Sequence, residues 1–370
     1  TKILDKQHFN LASKIFKSTG VKIKFLTGKS DAKKKKLVQK NLLNGKINFL
    51  IGTHALFQKN IIFKKLGLII IDEQHKFGVK QRIDLSNKGG RDCDILLMSA
   101  TPIPRTLILT RYGDMDISKL IEKPINRKKI ITISKPEEKS DEVLYFIKKQ
   151  IKNTNQIFWI CPLIEESKKL DYSAAVKKYK DLTKRFGKRV GMIHGGLKDF
   201  EKNEVLSNFL NKSIDILVST TVVEVGIDFP NANVIVIENS DKFGLSQLHQ
   251  LRGRVGRGFR QGICILLYKK NLSDNARKRI KILKSSNDGF FIAEEDMKLR
   301  GFGDILGYQQ SGNKDFKLAD PIKHADLFDI AEENIKRIER NEDNFKKYDF
   351  LIKLFDKADI INQMNLEKIN

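Results

Sequence analysis

The strongest constraint on the fold is the run Gly67-Leu68-Ile69-Ile70-Ile71-Asp72-Glu73. An apolar stretch without polar alternation, ended abruptly by two carboxylates, reads as a strand buried on both faces of a parallel sheet. Adjacent carboxylates just beyond such a strand are costly unless something positive meets them. Similar strands are predicted over 21–26, 48–51 and 95–98, with an amphipathic helix over 32–43. This βαβ rhythm predicts an α/β domain built on a doubly wound parallel sheet, with working residues at its carboxyl edge. The pattern loosens into Lys, Pro and Asn near 122–136. It then resumes with a helix over 141–151 and strands over 156–160, 190–193, 214–218 and 234–237. A chain of 370 residues is too long for one ordinary core, so two such domains in tandem suit its length. The expected division is 1–122 for the first domain, 123–135 for a linker, 136–270 for the second domain and 271–370 for a helical tail. The lone tryptophan, Trp159, is expected in the core rather than as a base-stacking platform.

Seventy Lys and Arg against 45 Asp and Glu leave a formal charge of +25. Such a surplus points to a polyanionic partner, nucleic acid ahead of an acidic membrane face. A generally lysine-rich composition without a specific partner is the alternative. Cys93, Cys161 and Cys264 lie far apart and form no CxxC, which fits a reducing compartment and argues against a disulfide scaffold or zinc site. The six histidines are equally scattered, so no protein-ligated metal centre is expected. No run approaches the roughly 18 apolar residues of a membrane span. Residues 1–8 have no signal-peptide core. A chain opening on Thr1 rather than Met is expected to begin inside a longer protein.

The stretch Gln247-Leu248-His249-Gln250-Leu251-Arg252-Gly253-Arg254-Val255-Gly256-Arg257-Gly258 is hard to explain as packing alone. Its glycines require a close bend, and arginine offers a planar fork suited to phosphate oxygens. A solvated basic loop is the alternative. The spacing of Gln250, Gly253, Arg254, Gly256 and Arg257 resembles the arginine-finger motif of superfamily 2 helicases. That resemblance implies two RecA-like domains facing an ATP, with Arg254 and Arg257 reaching its terminal phosphate and Gln250 beside the nucleotide. Asp72-Glu73-Gln74-His75 then resembles the Walker B box. The resemblance gives Asp72 to Mg²⁺ through water and Glu73 to the attacking water, while Gln74 and His75 relay nucleotide state. A helix N-cap is the alternative for Asp72. Ser99-Ala100-Thr101 resembles the motif that couples hydrolysis to movement. Thr220 to Asp228 resembles the one that bridges nucleotide and DNA. Thr220 and Thr221 would donate to a DNA phosphate, and Gly226 and Asp228 would approach the nucleotide.

Gly28-Lys29-Ser30 is not a P-loop, because Ile23 stands where the required glycine would be. It resembles instead a threonine-glycine motif that touches DNA phosphates, as Gly52-Thr53-His54 resembles a second. Ordinary turns are the alternative for both Gly28 and Thr53. No GxxxxGK[ST] occurs in the sequence. The resemblance therefore implies a first RecA-like domain lacking its nucleotide-gripping front, and no appreciable turnover by this chain alone.

In the tail, Arg277, Lys281 and Lys284 fall on one face of a basic helix over 275–285, while Ala276, Ile280 and Leu283 are placed for packing. A merely solvated face is the alternative. Residues 288–312 resemble the translocation motif shared by RecG branched-DNA helicases and transcription-repair coupling factors. There Arg279, Arg300 and Gln310 match polar positions that hold a helical hairpin and loop together. Phe302 departs from that pattern, which commonly has proline. Gly52 to Gln58, Asp72 to His75 and Pro162 to Ser167 favour the RecG family, which implies ATP and Mg²⁺ as cofactors. It also implies branched or duplex DNA as substrate, single-strand-binding protein as a partner, a monomer, and the bacterial cytoplasm. The family's N-terminal wedge domain has no counterpart in the sequence. A coupling-factor-like translocase and an ATPase-dead DNA-binding module remain the alternatives. Residues 341–370 carry no legible role.

Overall fold

The computed structural model describes residues 2–28, 30–58, 60–73, 88–89, 93–99, 116–122, 127–162, 168–220, 229–300 and 324–339. The chain divides into two compact units. One comprises 1–102 with 121–299, and the other 103–120 with 300–370. Of the second unit the described residues include a single helix, Ala325–Glu339. The elements that follow belong to the first unit.

At its start, α1 (Lys2–Ile15), β1 (Ile23–Leu26), α2 (Ala32–Leu43) and β2 (Phe49–Gly52) form one βαβ unit with a helix added in front. β1 and β2 are parallel, with Ile23 opposite Phe49 and Leu26 opposite Gly52. Val38 and Leu42 of α2 bury against Leu26 and Ile61. Helix α1 reaches the pair through Phe9 on Phe25 and Phe16 on Phe49, ring centroids 5.8 and 6.1 Å apart. Glycine at position 52 is required by this pairing, since a Cβ there would lie 2.2 Å from the Leu26 carbonyl oxygen.

β3 (Leu68–Ile71) and β4 (Asp94–Leu97) make a second parallel pair. Here the sequence expectation is corrected. Burial alternates along β3, with Ile69 and Ile71 inside while Leu68 and Ile70 are 54% and 45% exposed. An apolar run encodes tolerance of burial on both faces; whether both are buried depends on a second layer. Among the described residues the four strands form two separate pairs rather than one sheet, and Leu96 on β4 is exposed as well.

The second lobe is a six-stranded, all-parallel sheet in the order β5-β10-β9-β6-β8-β7. Its strands are β5 (Ile131–Pro136), β6 (Gln156–Cys161), β7 (Val190–Ile193), β8 (Ile216–Thr220), β9 (Ala232–Ile237) and β10 (Ile263–Tyr268). Its helices are α3 (Ser140–Lys152), α4 (Lys168–Phe186), α5 (Asp199–Leu210), α6 (Leu245–Arg252), α7 (Asp274–Ser285) and α8 (Gly289–Arg300). Every residue of β6 and β9 is buried. Alternate residues feed opposite cores, as the period of two demands. Ile157, Trp159, Val234 and Val236 face Val143 and Ile147 of α3 and Leu182 of α4. Phe158, Ile160, Ile235 and Ile237 face Phe209 of α5, Leu248 of α6 and Leu283 of α7. Trp159 is fully buried, a core residue as expected.

Phe158, Phe209 and Phe229 form a triangle of rings with centroids 5.2 to 5.6 Å apart. Beside them the buried Gln156 amide donates to the carbonyls of Phe209 and Ile214, at 2.5 and 2.7 Å. Truncating Phe209 to alanine removes an entire corner of that triangle and should cost about 3–5 kcal/mol. The lone tryptophan lies in this lobe, so its fluorescence across a urea titration reads the lobe alone. Phe209→Ala is expected to move that midpoint to lower urea without changing the slope.

Candidate nucleotide and nucleic-acid site

The carboxyl end of β3 delivers the two carboxylates to different surroundings. Asp72 is 43% exposed at its side chain and accepts the Glu73 amide at 2.8 Å. Its other carboxylate oxygen faces His8 Nε2 at 3.8 Å. Glu73 is buried, with φ at +51°. A left-handed conformation in a residue other than glycine costs on the order of 1–3 kcal/mol and persists only where its surroundings enforce it.

The charge of Glu73 acts on an arginine of the other lobe. Burial, and then the adjoining Arg257 guanidinium, press Arg254 down to about 10, while Glu73 opposes the shift. The group therefore stays cationic at neutral pH, at an energetic cost that a bound anion would relieve. Arg257 is exposed and reaches back toward the Gly253 carbonyl at 3.5 Å. Glu73, Arg254 and Arg257 thus form one electrostatic group spanning the two lobes.

The glycines of the arginine stretch do bend the chain closely, but around itself. Gly256 has φ at +68°, and a Cβ on it would sit 3.1 Å from Gly262 Cα. A Cβ on Gly258 would lie 2.5 Å from the Pro230 carbonyl oxygen. Side chains finish the loop's attachment. Gln261 donates to the Lys129 carbonyl, and Arg260 to the Asn153 carbonyl and, at 2.9 Å, to Asn155 Oδ1.

Arg252 has no role in the sequence expectations, yet among the described residues it is the most enclosed charge in the lobe, at 1% exposure. Its guanidinium donates to the carbonyls of Leu283 and Ser286 at 2.6 and 2.8 Å, and meets His249 Nδ1 at 3.0 Å and Thr132 Oγ1 at 3.4 Å. The two carbonyls lie at the C-terminus of α7, where helix acceptors lack internal partners and a cation is favoured. The signal is present in the sequence: Leu245, Leu248 and Arg252 share one helical stripe, so an arginine stands where the pattern calls for an apolar residue. A second tie joins α6 to α8, from Ser246 Oγ to Asp296 Oδ2 at 2.5 Å.

The remaining expected positions are dispersed. Gln250 lies half-buried on α6, and Ser99 half-buried beyond β4. Thr27, Gly28 and Ser30 form a compact turn, with the Thr27 amide donating to Ser30 Oγ at 3.0 Å and the Gly28 carbonyl taking Lys35 Nζ at 2.6 Å. Thr53 follows β2 and accepts the Leu56 amide through its carbonyl. Thr220 closes β8 beside Cys161, buried. Arg279 donates to the Asp241 carbonyl at 2.7 Å, fastening α7 to the turn before α6. Gln74, His75, Thr101, Thr221, Gly226, Asp228 and Gln310, with Phe302, lie outside the described residues, as does the side chain of Arg300. Burial raises the thiols of Cys161 and Cys264, the latter to about 12, so neither is a nucleophile. Among the described residues no cluster of metal-ligating side chains occurs and no helix is long and apolar enough to cross a membrane.

Comparison with known proteins shows the family. Residues 1–109 match the DEAD/DEAH box helicase family, 138–258 the helicase conserved C-terminal domain, and 286–367 the C-terminal part of domain 3 of the ATP-dependent DNA helicase RecG. The RecG helicase of Bacillus subtilis is 44% identical over 354 residues, 95% of this chain. The chain belongs to the RecG family. RecG of Thermotoga maritima is 44% identical over 92% of the chain, and that of Escherichia coli K12 is 42% identical over 87%. The chain spans about half the length of these relatives: 52%, 44% and 47%. A solved RecG bound to a three-way DNA junction superposes with a TM-score of 0.68 at 41% identity, covering 89% of this chain and 42% of that one. The yeast helicase Dbp5 bound to RNA, 19% identical with a TM-score of 0.58 over 81% of this chain and 78% of its own, shares the RecA-like fold alone.

Arg252→Met keeps most of the volume but leaves two buried carbonyls without their donor, at about 1–3 kcal/mol each. Hydrogen exchange is expected to quicken at 282–288 in this variant, with slower exchange recovered in part by Arg252→Lys.

Proposed function

We propose that this chain is the motor portion of an ATP-dependent helicase that translocates on duplex DNA and remodels branched DNA, forks and four-way junctions, in recombination and repair in the bacterial cytoplasm. The observation that supports this reading most directly is that Glu73 of one lobe lies near enough to Arg254 of the other to act on its charge, with Arg257 beside Arg254. Their sequence spacing matches the carboxylate and arginine motifs of superfamily 2. In this reading the domains are 1–122, 136–270 and a translocation region 271–370, joined by a linker at 123–135.

Each residue then has a physical task. Arg254, crowded by Arg257 and partly buried, is stabilised by a triphosphate and answers charge that develops on the transferred group. Glu73 holds a proton-accepting carboxylate beside that point and orients water. Asp72, with a side chain 43% exposed, fits a hydrated Mg²⁺, which keeps most of its waters and needs few protein ligands. Bound there, the metal would neutralise phosphate charge. Gln74, His75, Ser99, Thr101, Gly226, Asp228 and Gln250 complete the nucleotide response. Gly28, Thr53, Thr220 and Thr221 contact the DNA backbone, and Arg279, Arg300 and Gln310 hold the translocation region to the motor. Single-strand-binding protein is a partner in this proposal, and the working form is a monomer.

The residues that would cradle the β- and γ-phosphates are not in this sequence, so the 370-residue chain alone is expected to release no phosphate above background with branched DNA and ATP. Placed behind a P-loop-bearing half from a RecG relative, it should become a DNA-stimulated ATPase. Arg257→Ala in that protein should lower kcat by about 10³-fold or more. Turnover by the bare chain, or an Arg257→Ala protein as fast as its parent, would overturn the assignment.

A further inference from the structure

A recess of about 430 Å³ lies on the second lobe, lined by Ser134, Tyr268, Leu272, Arg277, Ile280, Lys281, Lys284 and Ser285. We propose that it binds the phosphodiester backbone of duplex DNA, as a contact additional to those at the strand ends. This rests on the duplex-DNA reading above. The elements are different: the expected contacts at Gly28, Thr53 and Thr220 lie at the ends of β1, β2 and β8, whereas the recess is lined by edge strand β5, the end of β10 with Leu272 after it, and helix α7.

Charge and chemistry both favour a polyanion. The lining contains three cations and no carboxylate. The cation nearest an acid is Arg277, with only a 3.7 Å approach to the exposed Asp274. Two serine hydroxyls flank the cations, and Tyr268, Leu272 and Ile280 close the floor.

Geometry selects a linear anion over a compact one. Positions 277, 281 and 284 follow one another along a single helix face, a row roughly 10 Å long at 1.5 Å per residue. One DNA strand carries a phosphate about every 3.4 Å of helix axis, so such a row meets successive phosphates. A lone phosphate ion would leave part of it unused.

The row is also held in place. Ser273 Oγ accepts the Ala276 amide at the N-terminus of α7. Ala276, Ile280 and Leu283 are buried beneath it. Arg252 grips the carbonyls of Leu283 and Ser286, the residues flanking Lys284 and Ser285. A load on the recess is therefore delivered to the end of α6, two residues from Arg254.

The test is duplex binding by the 370-residue chain, read as fluorescence anisotropy of a labelled blunt duplex over a range of KCl. Replacing Lys281 and Lys284 together by glutamine should flatten the slope of log K against log salt by about 1.8, or 0.9 for each phosphate no longer neutralised. A control pair, Lys148→Gln with Lys152→Gln, alters exposed lysines on α3, which packs on the opposite sheet face. It should leave the slope nearly unchanged. Unaltered Trp159 fluorescence confirms that each variant is folded. A parent chain that binds duplex, with the same slope in the Lys281/Lys284 variant or an equal flattening in the control, overturns the recess and leaves the helicase reading standing. A parent chain with no duplex affinity at any salt overturns both. Tighter binding of an Asp- and Glu-rich labelled peptide than of duplex, abolished in the Lys281/Lys284 variant, overturns the DNA assignment in favour of a protein partner.

Discussion

The structure of the second lobe turns on the last residues of one short helix. Arg252 and Arg254 are two positions apart at the end of α6, and they serve opposite directions. Arg252 goes inward to the exposed acceptors at the end of α7. Arg254 feels the charge of Glu73 from the other lobe. A fully buried guanidinium is costly unless its donors are met. Here two main-chain carbonyls, a hydroxyl and an imidazole meet it. Neutral acceptors at a helix C-terminus hold the charge by orientation, so displacing either helix strands the charge or the carbonyls. This makes α6 and α7 a single mechanical body.

That body stands on an unusually well-covered sheet. β6 and β9 are central and buried throughout, so the carboxyl ends of their strands are fixed by packing on both sides. The half-buried pair of Lys178 and Glu238 at 2.7 Å, with Lys178 also above the Trp159 ring, closes one side of that edge. The first lobe is different in kind. Its described strands pair in twos, and β3 buries only one face. Glu73 thus follows a strand with one face buried, whereas Arg254 follows a helix packed on a sheet whose central strands are buried throughout.

Much of this is legible in the sequence. Strands buried on both faces lack alternation, and β6 and β9 are recognisable on that ground. The same signal over-reads β3, because composition reports what a strand tolerates and not what covers it. Spacing suggests the arginine and carboxylate motifs and calls for a close bend at the glycines, without saying what the bend packs against. Gly256 makes room for Gly262, and Gly258 for the Pro230 carbonyl, contacts between residues that no local pattern connects. Arg252 is hidden by its neighbours: in a run of arginines the one on the apolar stripe looks like the others. Only counting from Leu245 and Leu248 separates it from the pair expected at a phosphate.

The glycine contacts also decide where the loop that carries Arg257 sits. Gly256 and Gly258 press the loop onto its own lobe, Gln261 ties it to the Lys129 carbonyl, and Arg260 ties it to the turn at 153–155. None of these ties involves the lobe that carries Asp72 and Glu73. The position of the loop that follows Arg254 is therefore set within the second lobe. In the proposed motor, approach of the lobes would then deliver a preorganised cation to the nucleotide, with little loop reorganisation at the moment of reaction. The cost of holding Arg254 and Arg257 close together is met in advance by the fold. An anion entering the gap relieves it, and that differential is the physical basis on which a bound triphosphate would favour the closed arrangement.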